Sequence, residues 1–454
     1  MKINNISNIN NKTAFKSTGA LKGIAKAADL FIKSQENLSS TRFIQDTATN
    51  WAPKAIFARS KADFAEMSFL EFTESAIFYF ASPILGEKLF RNIFTKFSPD
   101  SIKNTVSTQI PKTVNEIVQN KAITESVKKR AISTKAGIVL ACAAIPAAEY
   151  ALSFAKNLFT LKSFKQSNFN NIANLDKNHK EKEDIKHQQK VENSAKKHLK
   201  RFAIISAAGA IAGTALALLG DKSNVLQKVS KTVLNPGEAL SNGFEKIGLK
   251  NGKVNDAIKN FSLDFSNDNG KLALSKGQLA LTAVSGLFGY SKAAEDRGKL
   301  DKAEVWTRVP LVVFYTIFGS ELFEKGFYKI LKNKNKFTDV IKKGADGKII
   351  TPLRKELPLL AEKIAKEKGT DTVKELSRLT KEKAFIQGVP YAFSLLFMGL
   401  TLSAITRLWT QYRYNRQKKI EPQKTNNNVQ KIPFSFKSLS EFSEIIKNRN
   451  NNPL

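Results

Sequence analysis

The chain of 454 residues has few of the side chains that hold metals or form disulfides: one cysteine, Cys142, and three histidines. A single cysteine excludes an internal disulfide framework, and three histidines leave little material for a histidine-cysteine metal site. Proline is also sparse, at 13 residues, which excludes collagen-like and proline-rich polymers. We therefore expect neither a metal site nor a cofactor in this chain.

The sequence also lacks the short motifs that mark common catalytic sites. It has no Walker-type phosphate loop, no G-x-G-x-x-G after a predicted strand, no H-E-x-x-H and no G-x-S-x-G. Asp264, Ser266 and Asp268 follow the spacing of a calcium-binding loop. That match fails, because Asn269 stands where the loop needs glycine and Ser275 where it needs glutamate. No motif therefore argues for an enzyme.

Acidic residues are scarce relative to basic ones. The chain has 73 lysine and arginine residues against 40 aspartate and glutamate residues, which gives a formal net charge of +33. Such an excess attracts anionic surfaces, either lipid headgroups or nucleic acid. The basic residues are spread over tails and loops, and no homeodomain-like, RNP-like or zinc-finger pattern is present, so nucleic acid is the less favoured partner. We expect a bilayer with anionic headgroups to be the main partner.

Compact apolar blocks alternate with long stretches rich in lysine and asparagine. There are six such blocks: 69–85, 136–155, 202–220, 277–290, 309–323 and 385–406. Two of them, 202–220 and 385–406, contain no charged residue over the roughly 18 or more residues that a helix needs to cross a bilayer core of about 30 Å. These two blocks predict membrane-spanning helices.

The block 385–406 is followed by a border of aromatic and basic side chains. The border residues are Arg407, Trp409, Tyr412, Arg413 and Tyr414. Rings and cationic groups of this kind are enriched where a spanning helix meets lipid headgroups. We therefore predict that these five residues anchor the end of the helix at the membrane interface.

The other four blocks give weaker evidence for spans. Block 136–155 contains Pro146 and Glu149, and block 69–85 contains Glu71 and Glu74. The remaining two are short enough to be buried helices of a soluble bundle. The fold that we predict is an all-α polytopic membrane bundle of about four to six spans, and the alternative is a soluble helical protein whose core helices imitate spans.

Composition divides the chain into five regions. We predict that residues 1–60 form a polar basic N-terminal tail with a short amphipathic helix, and that residues 61–220 form a first hydrophobic helical region that includes a charged helix at 162–201. Residues 221–276 are predicted to form a polar insertion with a β-hairpin at 261–274. Residues 277–410 are predicted to form a second hydrophobic helical region with a polar helical insertion at 324–384, and residues 411–454 a basic disordered tail.

An internal duplication is one interpretation of the apolar blocks. Residues 76–94 and 312–331 share an aromatic Phe-Tyr pair, a glycine, a Glu-Lys pair and a following phenylalanine at nearly constant offset. Two related halves would often enclose a site at the bilayer midplane. Chance is the other interpretation, because block ends rich in phenylalanine resemble one another.

Carboxylates inside the blocks are the main candidates for a binding site. A carboxylate at the centre of a span costs about 2.5–3.5 kcal/mol, so it persists only when it is paired, protonated or facing water. Glu149 lies deepest by sequence, and we predict that it faces the bundle interior and contributes to a polar site. Glu71, Glu74 and Glu321 lie near block ends, where an interfacial or surface position is expected.

A G-x-x-x-G pattern makes one side of the block 202–220 nearly flat. Gly209 and Gly213 carry it, and flat faces let two helices approach closely in lipid. We predict packing within the chain, with self-association as the alternative.

The histidines His187 and His198 are too far apart on one helix to share a metal, so we expect solvent-exposed positions for them.

The function predicted from the sequence is that of a non-enzymatic integral membrane protein: a scaffold, a pore or a transporter. A soluble basic protein that binds nucleic acid or an acidic partner is the alternative. With six crossings both tails lie on one side, and the eleven basic residues in 162–201 and ten in 407–454 predict that this side is the cytoplasm. The seventeen basic residues in 324–384 count little, because that segment is long.

Overall fold

The computed structural model describes residues 19–36, 40–178, 181–246, 255, 258–268, 271–334, 337–343 and 349–424. These residues are almost entirely helical, so the all-α prediction is confirmed. In the first part of the chain the helices are α1 (Gly19–Glu36), α2 (Ser40–Ile56), α3 (Lys61–Ala76), α4 (Asn92–Thr95), α5 (Asp100–Gln109), α6 (Val114–Gln119), α7 (Glu125–Ala141), α8 (Ala144–Phe164), α9 (Phe169–Ile172), α10 (Ile185–Leu219), α11 (Asn224–Leu234) and α12 (Pro236–Lys246).

The second part begins with two short strands and continues with long helices. Its helices are α13 (Lys276–Glu295), α14 (Lys299–Phe314), α15 (Ser320–Asn333), a 3-10 turn (Arg354–Glu356), α16 (Leu357–Lys368), α17 (Thr372–Ser394) and α18 (Leu402–Lys424). Two antiparallel strand pairs accompany them, β1 (Ser266–Asp268) with β2 (Lys271–Ala273) and β3 (Lys342–Lys343) with β4 (Ile349–Ile350). In the first pair Asn267 lies opposite Leu272.

Three π-helical segments continue the α-helices without a break. They are Ile77–Arg91 after α3, Tyr315–Gly319 after α14 and Leu395–Thr401 after α17. A π-helical segment widens the turn, and such segments are often found at functional sites. Pro310 and Pro390 each lie five residues before such a segment, and each lacks the N–H group that would bond the carbonyl four residues earlier.

The helix α8 is the centre of the bundle. Its partner α10 runs antiparallel to α7 and α8, because Gly137 approaches Gly213 while Tyr150 bonds His198. Helix α13 runs parallel to α8, since Ser285 donates a hydrogen bond to the Pro146 carbonyl and Asn157 donates one to the Ala293 carbonyl. The bundle therefore brings α3, α10 and α13 around one central helix.

The two larger hydrophobic cores of the described chain lie around different helices. The larger core surrounds α7, where Ala131, Ile138 and Leu216 are buried together with Phe265 and Leu272 of the strand region. The smaller core lies between α15, α16 and α17 and contains Leu331, Val340, Leu357, Ala361, Ile364, Leu379 and Ile386. The region 324–384 thus packs around a core of its own.

Contacts divide the chain into two units, one that ends at Thr410 and one that begins at Gln411. The described part of the second unit is the C-terminal portion of α18, where Gln411 donates a hydrogen bond to Asn415.

Candidate functional site

A cavity of about 720 Å³ lies between α2, α3, α8, α13, α14 and the segment that joins α17 to α18. Its wall carries seven acidic and six basic side chains, although the whole chain has a net charge of +33. The acidic residues are Asp63, Glu66, Glu71, Glu74, Glu149, Asp301 and Glu304, and the basic residues are Lys54, Arg59, Lys156, Arg297, Arg308 and Arg407. The cavity is therefore nearly neutral inside a strongly basic protein.

Arg59 joins three elements at one end of the cavity. Its guanidinium donates two hydrogen bonds to Glu304, at 2.9 and 3.1 Å, and one to Asp63, at 3.2 Å. Asp63 also lies 3.7 Å from Arg407. A bidentate arginine-carboxylate pair fixes the angle as well as the distance between its partners, so this group locks α14 against α3.

Arg297 lies at the centre of a second, fully buried group at the same end. It donates a hydrogen bond of 2.6 Å to Glu66 and one of 3.0 Å to Asn157. Lys156 lies 3.7 Å from Glu66, and Asp301 lies 3.0 Å from the Arg297 Nε atom. Breaking a buried pair of this kind leaves an uncompensated charge, which is strongly destabilising.

The two carboxylates that share Arg297 differ in the direction of their pKa shift. Both precede the apolar blocks, Glu66 before 69–85 and Asp301 before 309–323. Burial raises the pKa of both carboxyls, but Arg297, Lys156 and a hydrogen bond from Thr160 hold the pKa of Glu66 below its usual value. For Asp301 burial prevails over Arg297 and the pKa is raised. The nearby carboxylates of Glu66 and Glu304 also raise this pKa, and the Oδ2 atom of Asp301 has no hydrogen-bond partner among the described residues to offset the effect.

Glu149 lines the same cavity as Glu71 and Glu74. Its side chain is only 4% exposed, and its Oε2 atom has no hydrogen-bond partner in the described part of the chain. Gly286 of α13 leaves the space for this carboxyl, because a Cβ atom there would stand 3.0 Å from Glu149 Cγ and 3.1 Å from Oε1. The structure therefore places Glu149 in the wall of the polar cavity.

The expectation that Glu71 and Glu74 occupy an interfacial or surface position is wrong. Both line the cavity, and Glu71 is buried in an ion pair with Lys54 of α2. The reason is that α2 covers this face of α3, which sequence spacing within the block could not reveal. The side chain of Glu321 lies outside the described part of the structure.

Each π-helical segment contributes a side chain to the cavity: Phe78 and Tyr79 from the first, Tyr315 from the second and Met398 from the third. The ring of Tyr315 lies 5.1 Å from that of Phe397, between centroids, and so joins the second segment to the third. The sequence contains a signal for two of these segments that hydrophobicity alone does not show. Residues 309–319 and 389–399 both read Val-Pro, eight residues, then Gly.

The predicted interfacial residues differ in environment. Arg407 lines the cavity and pairs with Asp63, while Trp409 is exposed on the unit that ends at Thr410. In the second unit Tyr412 is exposed, and Arg413 and Tyr414 are half-buried.

The small residues of the G-x-x-x-G pattern lie against the helix α7. A Cβ atom at Gly213 would stand 2.4 Å from the Gly137 carbonyl oxygen, and one at Gly209 would stand 2.7 Å from that of Leu140. The contact is reciprocal, because a Cβ atom at Gly137 would stand 2.5 Å from the Gly213 carbonyl oxygen. The structure thus places both glycines in a close contact within the chain.

The expectation of solvent-exposed histidines is wrong for the two that the structure describes. His198 is buried, stacks on Phe154 at 4.0 Å between ring centroids and bonds the Tyr150 hydroxyl at 2.9 Å. His187 is half-buried and bonds Ser167 and the Asp296 carbonyl. Both face other helices because the charged segment packs on α8 and α13. His179 lies outside the described residues.

Cys142 is buried at the short break between α7 and α8. Within the described ranges, no three histidine, cysteine or carboxylate side chains are arranged to hold a metal ion. No protein-family model, no curated protein and no solved structure matches this chain. Its function is therefore inferred from the geometry of the cavity and of the helix surfaces, and not from a relative.

Proposed function

We propose that this chain is a non-enzymatic integral membrane protein whose helices cross the bilayer and enclose a solute-binding cavity. Three described helices are long and apolar enough to cross a membrane: Glu125–Phe164, Ile185–Leu219 and Thr372–Lys419. The observation that carries the proposal concerns the last two. Only 17% of the residues in the apolar window of each are buried, so most residues of these windows are at least partly exposed.

The exposed apolar stripe of α10 supports lipid as the surrounding solvent. Ile204, Ile205 and Ile211 point outward in its charge-free block, whereas Gly213 and Leu216 face α7. Soluble monomers rarely expose large contiguous apolar patches, because water is a poor solvent for them. A bilayer is the environment in which such a stripe needs no protein partner.

The distance between flanking charges matches the thickness of a bilayer. Arg201 and Asp221 bracket the block on α10, and 20 residues at ~1.5 Å each span about 30 Å. Lys135 and Lys156 bracket the antiparallel block on α7 and α8, over about 31 Å. The hydrocarbon core of a typical bilayer is also about 30 Å thick.

The directions of the helices support six crossings. Thr160 bonds Glu66 while Gly86 approaches Cys142, so α3 and its π-helical continuation run antiparallel to α8, and Ser291 meets Trp306 across the turn between α13 and α14. Phe323 stacks on Phe393 while Phe327 lies 6.2 Å from Phe385 between ring centroids, so α15 runs antiparallel to α17. Each apolar block therefore reverses the direction of the preceding one.

Exposed apolar stripes also run along the shorter blocks. Those on α13, α14 and α15 consist of Leu281, Val284, Phe288, Leu311, Phe314, Phe318 and Leu322. Six crossings would leave both tails on one side, and the excess of basic residues in 162–201 and 407–454 assigns that side to the cytoplasm.

A transporter-like or pore-like role fits the cavity better than a purely structural role. Ligand cavities in proteins measure about 300–1,000 Å³, and this one measures about 720 Å³. Charged groups are costly inside a membrane, and where they occur they mark the pathways of ions and solutes. A scaffold protein has no need to keep thirteen charged side chains around an internal space.

Alkaline carbonate extraction of membranes from cells that express the full chain tests the membrane assignment. We expect the chain to stay in the pellet with a known integral protein, while a peripheral protein is released. Release into the supernatant, followed by monodisperse behaviour in buffer without detergent, would refute the proposal. Release with association into oligomers would assign the apolar stripes to other copies of the chain.

A further inference from the structure

The wall of the cavity has one more acidic side chain than basic side chains. All six basic side chains of the wall lie within 3.9 Å of a carboxylate. These contacts, together with that between Arg297 and Asp301, involve only five of the seven acidic residues. Glu74 and Glu149 form no ion pair or hydrogen bond with a described residue. Glu149 therefore faces the cavity without a protein counter-ion in the described part of the chain, while Glu74 has Lys54 and Arg308 nearby but beyond ion-pair distance.

The surroundings of the Glu149 carboxyl fix its position in the wall of the cavity. It is buried, its Oε2 atom has no hydrogen-bond partner among the described residues, and Gly286 provides the space for it. A buried carboxylate without a partner is stable only when it takes up a proton or meets a cation. The site is thus prepared for a positive group that is not part of this chain.

The size and the walls of the cavity indicate what carries that positive group. A single water occupies about 30 Å³ of liquid volume, so a cavity of about 720 Å³ offers far more room than a bare metal ion requires. Apolar side chains line much of it: Leu70, Phe78, Leu287, Val309, Val312 and Met398. Such walls favour a ligand with an apolar body.

We propose that this cavity binds a small organic cation, with an ammonium or guanidinium group at Glu74 and Glu149 and an apolar body against α13, α14 and the first π-helical segment. Charge-assisted hydrogen bonds to the two carboxylates replace the water that the cation loses on entry. The inference rests on the proposed function, because in that function the ligand enters a cavity within the bilayer.

Binding of three small probes with the same ring and different charge tests this proposal. Benzylammonium, benzyl alcohol and benzoate are titrated by calorimetry into the full chain in phosphatidylcholine nanodiscs, with empty nanodiscs as the blank. We expect one benzylammonium to bind per chain and the other two probes to bind at least about tenfold more weakly, since a hydrogen-bonded charge pair contributes that much. Equal binding of all three probes, or preferred binding of benzoate, would overturn the proposal.

Two variants locate the site. Glu149→Gln keeps the shape of the side chain and removes its charge, and we expect it to weaken benzylammonium binding about 10- to 100-fold. Glu192→Gln is the matched control, because Glu192 pairs with Lys196 on the outer surface of α10 and should bind the probe like the parent chain. Unchanged binding by Glu149→Gln would overturn the assignment of the carboxyl.

Gly286→Ala and Glu74→Gln keep the test decisive if Glu149→Gln fails to fold. A methyl group at position 286 would stand about 3 Å from the Glu149 carboxyl and displace it, so we expect weaker binding of benzylammonium alone. Unchanged binding by both variants would overturn the proposal. If carbonate releases the chain, the same titration is run in buffer. Extraction then tests the membrane assignment and the titration tests the cation site, so the two can fail independently.

Discussion

A single arginine at Ile211 is expected to prevent insertion of α10 into a bilayer, whereas the same change at Ile185 is expected to be harmless. The two isoleucines lie on the same helix and are almost equally exposed, at 72% and 70%. Ile211 lies midway between Arg201 and Asp221, about 15 Å from each. Ile185 is the first residue of α10, outside the charge-free block, so it serves as a matched control.

The size of the effect follows from insertion energies. At the centre of a spanning helix isoleucine contributes about −0.3 to −0.6 kcal/mol and arginine costs about 2.5–3.5 kcal/mol, so the exchange costs roughly 3–4 kcal/mol. The seven large apolar residues of the block together contribute only about 2–4 kcal/mol in favour of insertion. Ile211→Arg therefore cancels the whole driving force of this span and lowers its insertion equilibrium about 100- to 1,000-fold.

The assay compares the two variants as full-length chains in cells. The fraction that resists alkaline carbonate is measured, and a reporter after Gly220 shows on which side of the membrane the end of α10 lies. We expect Ile211→Arg either to lower the fraction of the chain that stays in the pellet after carbonate treatment or to place the reporter on the wrong side of the membrane. We expect Ile185→Arg to behave like the parent chain in both measurements. If both arginines have the same effect, or neither has one, the stripe on α10 does not face lipid and the argument from exposure fails.

Three further predictions concern contacts inside the bundle, each measured as the thermal midpoint of the purified chain. Gly213→Leu is expected to destabilise the chain by about 1–3 kcal/mol, because the leucine side chain would collide with Gly137. Ala212→Leu, on the exposed side of the same helix, is the control and is expected to be tolerated. Equal effects of the two changes would contradict the close contact. Arg297→Met is expected to lower the free energy of unfolding by about 3–5 kcal/mol, because it leaves the buried carboxylates of Glu66 and Asp301 without their cation. Lys302→Met removes a cation from an exposed ion pair and is expected to have little effect. Glu66 has a folded pKa below its unfolded value of about 4.5, so its stabilisation is complete above that pH and is lost as the pH falls through the folded pKa. The deficit of Glu66→Gln should therefore be largest near pH 6 and shrink towards pH 3, and a deficit independent of pH would contradict the pKa direction.

The helical blocks could be predicted from sequence because their signal is local. The charge-free block 202–220 ends the helix α10 and the block 385–406 lies within α17, the third π-helical segment and α18. Glu149 stood out for the same local reason, as a carboxylate deep within an apolar block. Its neighbours in one stretch of sequence were enough to identify it as unusual.

The rest of the cavity could not be predicted because its partners are far apart along the chain. Arg59 bonds Glu304 across 245 positions, and Arg297 bonds Glu66 across 231. A single sequence contains no sign of which acid meets which base over such distances. The charges beside the blocks were therefore assigned to interfaces or to solvent, although helix packing turns many of them towards one shared space.

The same geometry bears on the internal duplication. In the alignment of residues 76–94 with 312–331, Tyr79 corresponds to Tyr315, and both tyrosines line the cavity. An α-helix passes into a π-helical segment at or close to both positions, at Ile77 and at Tyr315. Both helices also run antiparallel to α8 or α13, which are parallel to each other, so the two segments share one direction. A chance match between two phenylalanine-rich block ends accounts for the shared letters, and an α-helix also passes into a π-helical segment at Leu395, outside both aligned segments, so the internal duplication stays a prediction. Two halves of this kind would be related by an axis along the membrane normal, with the cation site between them.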